Sequence, residues 1–384
     1  MKNFSSAKKT ARFVTITAVI FLLASLAAGC SKKSAEPWAP GKPLDKNDVK
    51  IGVIYLDEAE NGWSYSHELG IRQMSETFGL RDDQIIRKVN VSEADIGMIE
   101  YKISEAITEG ANVIIAPSWG FMDACERMAA ENPGVVFAHA SGYKYNETNF
   151  TNYFGRLYQA RYLAGIAAGL RTETGKVGFV AAQDYTNSEV TGGLNAFAMG
   201  VASVNPAAEV YVSVTYSWFD PAGERRAAQI LIEAGCDVIA QHCDTAEPQI
   251  AAGAAGAWGI GNNVDMSGFA PDAVLTSVIW NWGPYYTMLI GGVIDGSFMT
   301  TPYMGGLADG MVDITAPDRA LAAPGTDSAV ADAKRRIIDG SLEVFSGEIE
   351  TNDGRMIGTA GEAFTDEMIA GGVNWYYKNV TVID

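Results

Sequence analysis

From residue 49 the chain repeats one pattern: a short β-branched run, a polar or aromatic turn, then an amphipathic stretch of helical period. Residues 49–56 lead to 63–78, 84–89 to 94–109 and 112–116 to 121–130, and 135–139 closes the series. Strands separated by helices cross back over their own sheet, so the pattern predicts βαβ units and a parallel sheet covered on both faces. After a break rich in Gly, Tyr and Asn between Ser141 and Gly155, a helical stretch over 156–171 starts the rhythm again. Strands are predicted at 176–181, 210–216, 237–240, 257–259 and 275–279, with helices near 188–203, 221–234 and 245–255.

Two α/β series of similar size predict two lobes joined by a hinge, each a mostly parallel sheet flanked by helices, which is the architecture of a periplasmic binding protein. The apolar run 284–294 is expected to pack back on the first lobe, giving 49–155 plus about 283–305 for that lobe and 156–282 plus about 306–345 for the second. The hinge is expected in 146–155, with return crossings near 262–282. Residues 346–384 end in Val373-Asn374-Trp375-Tyr376-Tyr377 and read as a clasp over the body. A chain of 384 residues that is 48% hydrophobic has apolar surface enough for two cores. Its 28 Lys and Arg against 46 Asp and Glu leave a net charge of −18, the wrong sign for tracking a phosphate backbone, so nucleic acid is excluded as a partner.

The first thirty residues are an address. Lys2, Lys8, Lys9 and Arg12 precede an apolar run over 13–28 that is too short to span a membrane comfortably, and the run ends in Ala27-Ala28-Gly29-Cys30. Residues 1–29 are therefore a signal peptide. Small residues before a cysteine resemble the lipobox of bacterial lipoproteins, which implies cleavage before Cys30 and a lipid on its thiol. Ala27 stands where the lipobox usually has Leu, and Leu26 lies one place early. An ordinary secretory signal with an incidental cysteine is the alternative. The polar stretch Ser31-Lys32-Lys33-Ser34-Ala35-Glu36-Pro37, within a tether over 30–48, favours the lipid anchor.

With Cys30 acylated, Cys125, Cys236 and Cys243 remain, an odd count that is no disulfide framework. A strand between Cys236 and Cys243 would hold them about 20 Å apart, so they read as small buried hydrophobes. Enzyme templates fail. His67-Glu68 opens a zinc-protease pattern, but Ile71 stands where the second histidine belongs. Gly253, Gly256, Gly259 and Gly261 lack dinucleotide spacing, and no nucleophile elbow or phosphate loop occurs. His67, His139 and His242 read as satisfied core or pocket-rim histidines, and no metal or cofactor is implied.

In α/β sheets, ligands bind beyond the carboxyl ends of the strands, and aromatic residues crowd those turns here. They read Gly62-Trp63-Ser64-Tyr65, Pro117-Ser118-Trp119-Gly120-Phe121, Ser141-Gly142-Tyr143, Gln183-Asp184-Tyr185, Ser217-Trp218-Phe219-Asp220, Gln241-His242-Cys243-Asp244 and Trp280-Asn281-Trp282. Ordinary packing could explain any single tryptophan. The set predicts a flat apolar ligand held between lobes, with polar side chains reading its edge.

At these turns the chain resembles the basic membrane protein family, the solute-binding lipoproteins of bacterial ABC importers for purine bases and nucleosides. The likeness runs through Lys50-Ile51-Gly52-Val53-Ile54-Tyr55, the stretch 61–70, Tyr153-Phe154-Gly155-Arg156, 158–165, Trp218-Phe219-Asp220-Pro221, Gln241-His242-Cys243-Asp244 and 280–286. It covers nearly all of the mature chain. In the similar branch the first turn reads Asp-His-Gly-Trp-Thr-Tyr, and Glu60-Asn61 here replaces the Asp-His pair. The resemblance implies a type I binding protein that closes on a purine base or nucleoside and delivers it to a permease driven by an ATP-hydrolysing subunit, and it implies an envelope location and no enzymatic activity. A monomer is expected. By the same resemblance Trp63 is a stacking residue, Trp218 or Phe219 its counterpart, and Asp244 the edge reader, with Tyr65, Trp119 and Asn281 as further ligand-binding candidates. Two alternatives remain: a sugar or signal-molecule binder on this fold, and a nucleoside-hydrolysing enzyme, which would need a carboxylate or metal cluster.

Overall fold

Ile51–Ile54 forms β1, an unbroken run of buried residues as a central parallel strand requires. The computed structural model describes residues 38–58 and 62–383; the signal peptide, Cys30, residues 31–37 of the tether and Glu60-Asn61 lie outside the described residues. In chain order β1 is followed by α1 (Gly62–Phe78), β2 (Ile85–Lys88), α2 (Ile96–Thr108), β3 (Val113–Ala116), α3 (Met122–Glu131), β4 (Val136–Ala140) and β5 (Phe150–Gly155). The second series runs α4 (Leu157–Arg171), β6 (Lys176–Ala181), α5 (Ser188–Val204), β7 (Glu209–Val214), α6 (Pro221–Glu233), β8 (Val238–His242), α7 (Glu247–Ala255), β9 (Trp258–Gly261) and β10 (Val274–Trp280). Then come α8 (Gly283–Asp295), β11 (Tyr303–Gly305), β12 (Val312–Ile314), α9 (Thr326–Ile338), β13 (Ile349–Glu350), β14 (Met356–Ile357), α10 (Asp366–Gly372) and β15 (Val380–Val382).

Two large sheets result. The first-lobe sheet has the order β11-β5-β4-β3-β1-β2, with every pairing parallel. The second-lobe sheet has the order β12-β10-β9-β8-β6-β7-β15 and is parallel except where β12 meets β10. Helix starts follow local chemistry. Asn187 accepts from the Val190 N–H to cap α5, and Asp220 accepts from the Gly223 N–H with Pro221 in the first turn of α6.

The stretch 146–155 is not a loose hinge. Its second half, Phe150–Gly155, is a strand inside the first sheet, paired with β4 through Phe137↔Phe150 to Ala140↔Tyr153. Gly142 and the neighbouring Tyr and Asn residues hid it, because they belong to the loop before the strand. The crossings between lobes fall at 155–157, 280–283 and 305–312, and they are tied to one another. The Arg156 N–H donates to Gly305 O at 2.7 Å, and its guanidinium donates to Met304 O at 2.8 Å and to both carboxylate oxygens of Asp366 at 2.8 and 2.7 Å. Asn281 likewise donates through its backbone to Met311 O and through its side chain to Gly310 O, both at 2.8 Å.

The segment beyond 345 contributes β15 to the second sheet and packs α10 on α5. Asn195 of α5 grips it twice, donating to Trp375 O at 2.7 Å and accepting from the Tyr377 N–H at 2.8 Å. Cys125, Cys236 and Cys243 are buried free thiols. Among the described residues no helix is long and apolar enough to cross a membrane.

Candidate functional site

The first-lobe wall begins where β1 ends. Gly62 opens α1 at a φ of +63°, and Trp63 follows with its indole N–H donating to Pro117 O at 2.7 Å, which pins the ring to the turn after β3. The ring stands edge-on to Trp280 at 5.7 Å, to Trp282 at 5.5 Å and to His67 at 4.6 Å, while Trp280 and Trp282 stack at 4.5 Å. Trp280 and Trp282 lie in the second crossing, so Trp63 rests on the joint between lobes. Behind it, His67 Nδ1 lies 2.6 Å from the Tyr286 hydroxyl, which lies 2.8 Å from that of Tyr153. Burial holds the His67 imidazole well below its usual range, so it is neutral.

The second-lobe wall is polar. The Asp244 N–H donates to Trp218 O at 2.9 Å, and its carboxylate accepts from the Asn263 amide at 2.8 Å. Burial pushes the Asp244 carboxyl up to about 7, and the charges of Glu224, Asp57 and Glu189 add to that shift while the Asn263 hydrogen bond opposes it. Glu224 is fully buried and saturated, accepting from the Thr245 hydroxyl at 2.6 Å and from the Asp220 N–H at 3.1 Å. His242 ends β8 with the Trp218 ring edge-on at 5.6 Å. Beneath it Arg161 is wholly buried, donating to Gln241 O and to Asn262 Oδ1, both at 2.6 Å.

The two walls touch. A Cβ added to Gly62 would stand 2.8 Å from Asp244 O and 3.3 Å from Asp244 Cβ, so the amino end of α1 lies against the turn after β8. The backbone of Gly62, one residue before Trp63, thus meets Asp244, whose N–H is bonded to Trp218 O, from the opposite lobe. The other candidates do not join them. Tyr65 is two residues from Trp63 on a helix and so faces away, lining a recess with Tyr55, Glu58, Glu68, Arg72, Arg87 and Val89. Trp119 is 55% exposed and leans on Tyr143 at 6.0 Å. Phe219 is 59% exposed, so of the Trp218-Phe219 pair it is Trp218 that turns inward. Asn281 spends its amide donor on Gly310 O in the crossing.

Each histidine is buried, but none is fully satisfied, because His67 Nε2, His139 Nδ1 and His242 Nδ1 have no hydrogen-bond partner. Sequence reasoning passed over Glu189 and Trp280 as site residues. Glu189 follows the Asn187 cap after the turn Gln183-Asp184-Tyr185, and that turn was the available signal. Among the described residues no group of three or more His, Cys, Asp or Glu is placed to hold a metal ion.

Two mostly parallel sheets flanked by helices, joined by three crossings with a polar and an aromatic wall between them, define the type I periplasmic-binding-protein fold. An ABC transporter solute-binding protein from Conexibacter woesei superposes with a TM-score of 0.64 at 19% identity, covering 77% of this chain and 98% of that one, which is a likeness of fold. The chain belongs to the Bmp family, the PnrA-like ABC transporter substrate-binding proteins, whose match spans residues 49–343. A purine-binding protein of Brucella abortus is 33% identical over 334 residues, covering 86% of this chain and 93% of the relative. A Haloferax volcanii protein assigned to glucose binding for an ABC transporter is 32% identical over 324 residues, covering 83% and 80%. A nucleoside-binding protein of Lactococcus lactis is 23% identical over 232 residues, covering 60% and 64%. The family consists of extracytoplasmic substrate-binding proteins, not enzymes.

Proposed function

We propose that this protein is a lipid-anchored, monomeric solute-binding component of an ABC importer that closes on a purine base or nucleoside and passes it to the permease. The observation that carries the reading is the close approach of Gly62, which precedes Trp63 in the first lobe, to Asp244 of the second. Stacking a base on an aromatic face contributes roughly 1 to 3 kcal/mol and needs no protein charge, and a carboxylate accepts from a ring N–H or exocyclic amine. The purine-binding relative supports the same class.

Calorimetric titration of adenine, guanine, hypoxanthine and their nucleosides tests it. Trp63→Ala should weaken every purine by a similar factor, ~1 to 3 kcal/mol, because stacking ignores exocyclic groups. Asp244→Asn should cost more for ligands presenting an N–H to it than for the rest. A flat response of the panel to Asp244→Asn would show that another residue reads the edge. The glucose-assigned relative favours a second reading, a sugar binder. Thermal shifts with hexoses and pentoses against purines separate the two.

The anchor is tested separately. Cys30→Ser should release the protein from the membrane fraction and abolish lipid labelling, since one acyl chain plus its partners is the attachment this reading supplies. Equal membrane retention of both proteins would sink the anchor and leave the ligand reading intact.

A further inference from the structure

Glu189 stands in the first turn of α5, directly above the carboxyl ends of β6 and β8, which pair through Ala181↔His242. Its side chain is 29% exposed, and its Oε1 lies 3.8 Å from His242 Nε2, beyond hydrogen-bond reach. Among the described residues its carboxylate makes no hydrogen bond; burial raises it to about 7, and the Arg161 charge pulls it back. Two other carboxylates of the second-lobe wall are bonded. Asp244 holds Asn263, and Glu224 holds Thr245 and the backbone of Asp220. The His242 side chain beside it is 3% exposed and turns Nε2 toward Glu189 without bonding to it, while its unpaired Nδ1 lies on the other side of the ring, against Gly193 of α5. A half-buried carboxylate and a buried imidazole that face each other without bonding are costly for an empty protein. They are what a site looks like when its remaining partner arrives with the ligand.

We propose that Glu189 is a second ligand-reading carboxylate, paired with Asp244, and that together they select a ring edge on which a ring N–H adjoins an exocyclic amine. The inference rests on the reading of this protein as a purine binder and names the edge it prefers. A guanine-type edge offers the ring N–H and both N–H bonds of the exocyclic amine; one carboxylate accepts two of these side by side and leaves the third for a second acceptor, whereas hypoxanthine offers the ring N–H alone on that edge. Donors stabilise the ionised form of both carboxylates. The groups facing the pair are Arg161 from α4, neutral His242 at the end of β8, Glu224 from α6 and Asp57 from the loop after β1. Burial raises both acids in the free protein, so they are partly protonated at neutral pH. Binding a donor edge therefore releases protons, and affinity should rise from pH 6 to pH 8.

The test is calorimetry of guanine, hypoxanthine and adenine in buffers of differing ionisation enthalpy, with wild type, Glu189→Gln and Glu189→Asp. Glu189→Gln should lose about tenfold or more for guanine and within about threefold for hypoxanthine, and it should release fewer protons on binding guanine. Glu189→Asp keeps the charge of the helix turn but shortens its reach, so it should fold as the wild type does and still lose guanine affinity. Trp63→Ala serves as the class control, weakening all three alike. Wild-type affinity and proton release in both Glu189 variants would overturn the pairing while leaving purine binding in place. A wild type that binds no purine would overturn the function reading and this inference together.

Discussion

Gly165→Val is expected to destabilise the protein by about 3 kcal/mol or more, a large share of the roughly 5 to 15 kcal/mol that holds an ordinary chain folded. Helices α4 and α5 cross so closely that each presents a glycine to the other's backbone. A Cβ on Gly165 would stand 2.1 Å from Phe197 O, and one on Gly200 would stand 2.1 Å from Tyr162 O. Gly169 continues the contact one turn on, where a Cβ would meet Val201 O at 2.8 Å. The obstacle is backbone in each case, so no side-chain rotation relieves it and the helices must move apart. Separation would strip contacts from α4, which carries the buried Arg161, and from α5, which carries Glu189. Urea denaturation followed by circular dichroism checks the loss; a Gly165→Val protein with the wild-type midpoint would mean the helices sit farther apart than described. Gly268→Ala is the comparison, since a Cβ there meets nothing within 4 Å and its backbone is not left-handed.

How far such features show in the sequence depends on how local they are. Alternation of β-branched runs and amphipathic stretches is local, and it located β1 to β4 and β6 to β10 within a few residues. The close helix crossing is not, because Gly165 and Gly169 read as ordinary tolerated glycines until Gly200 is placed opposite them. Strands β11, β12 and β15 have three residues each, too few for any period to register, and they form by pairing with strands already built. Helix α9 does carry a helical period, burying Val330, Ala333 and Ile337 along one face and leaving Asp327, Asp332, Arg335 and Arg336 on the others, so it lay within reach of the same reading. For the candidate site, the rule that ligands sit beyond strand ends points to the turns that carry Trp63, Trp218 and Asp244, and the structure sets Gly62 against Asp244 there. The misfits follow from rotation. A strand-end turn names a neighbourhood, but helix phase sends Tyr65 away from Trp63 and loop geometry sends Phe219 outward from Trp218. Glu189 carries no motif at all; its role comes from the hydrogen bonds it does not make.

Closure itself should hinge on Gly62. The residue sits at a φ of +63°, in the left-handed region that an L side chain occupies only with strain, and its missing Cβ is the space into which Asp244 O fits. Gly62→Ala therefore carries two penalties, and a second glycine separates them. Gly79, at the other end of the same helix, has a φ of +64°, yet a Cβ there meets nothing within 4 Å. Gly79→Ala should lose about 1 kcal/mol of stability to strain and keep wild-type ligand affinity. Gly62→Ala should lose a similar amount of stability and, in addition, hold the lobes apart. Ligand then binds a protein whose closed form is a minor population, and apparent affinity falls by the fraction closed, about 100-fold if that fraction drops to the order of 1%. Small-angle scattering should show the wild type contracting on saturation with ligand and Gly62→Ala remaining extended. The discriminating result is the affinity ratio of the two alanine variants: equal affinities would mean that closure does not pass through the contact between Gly62 and Asp244, and that the two walls of the site are brought together by the crossings alone.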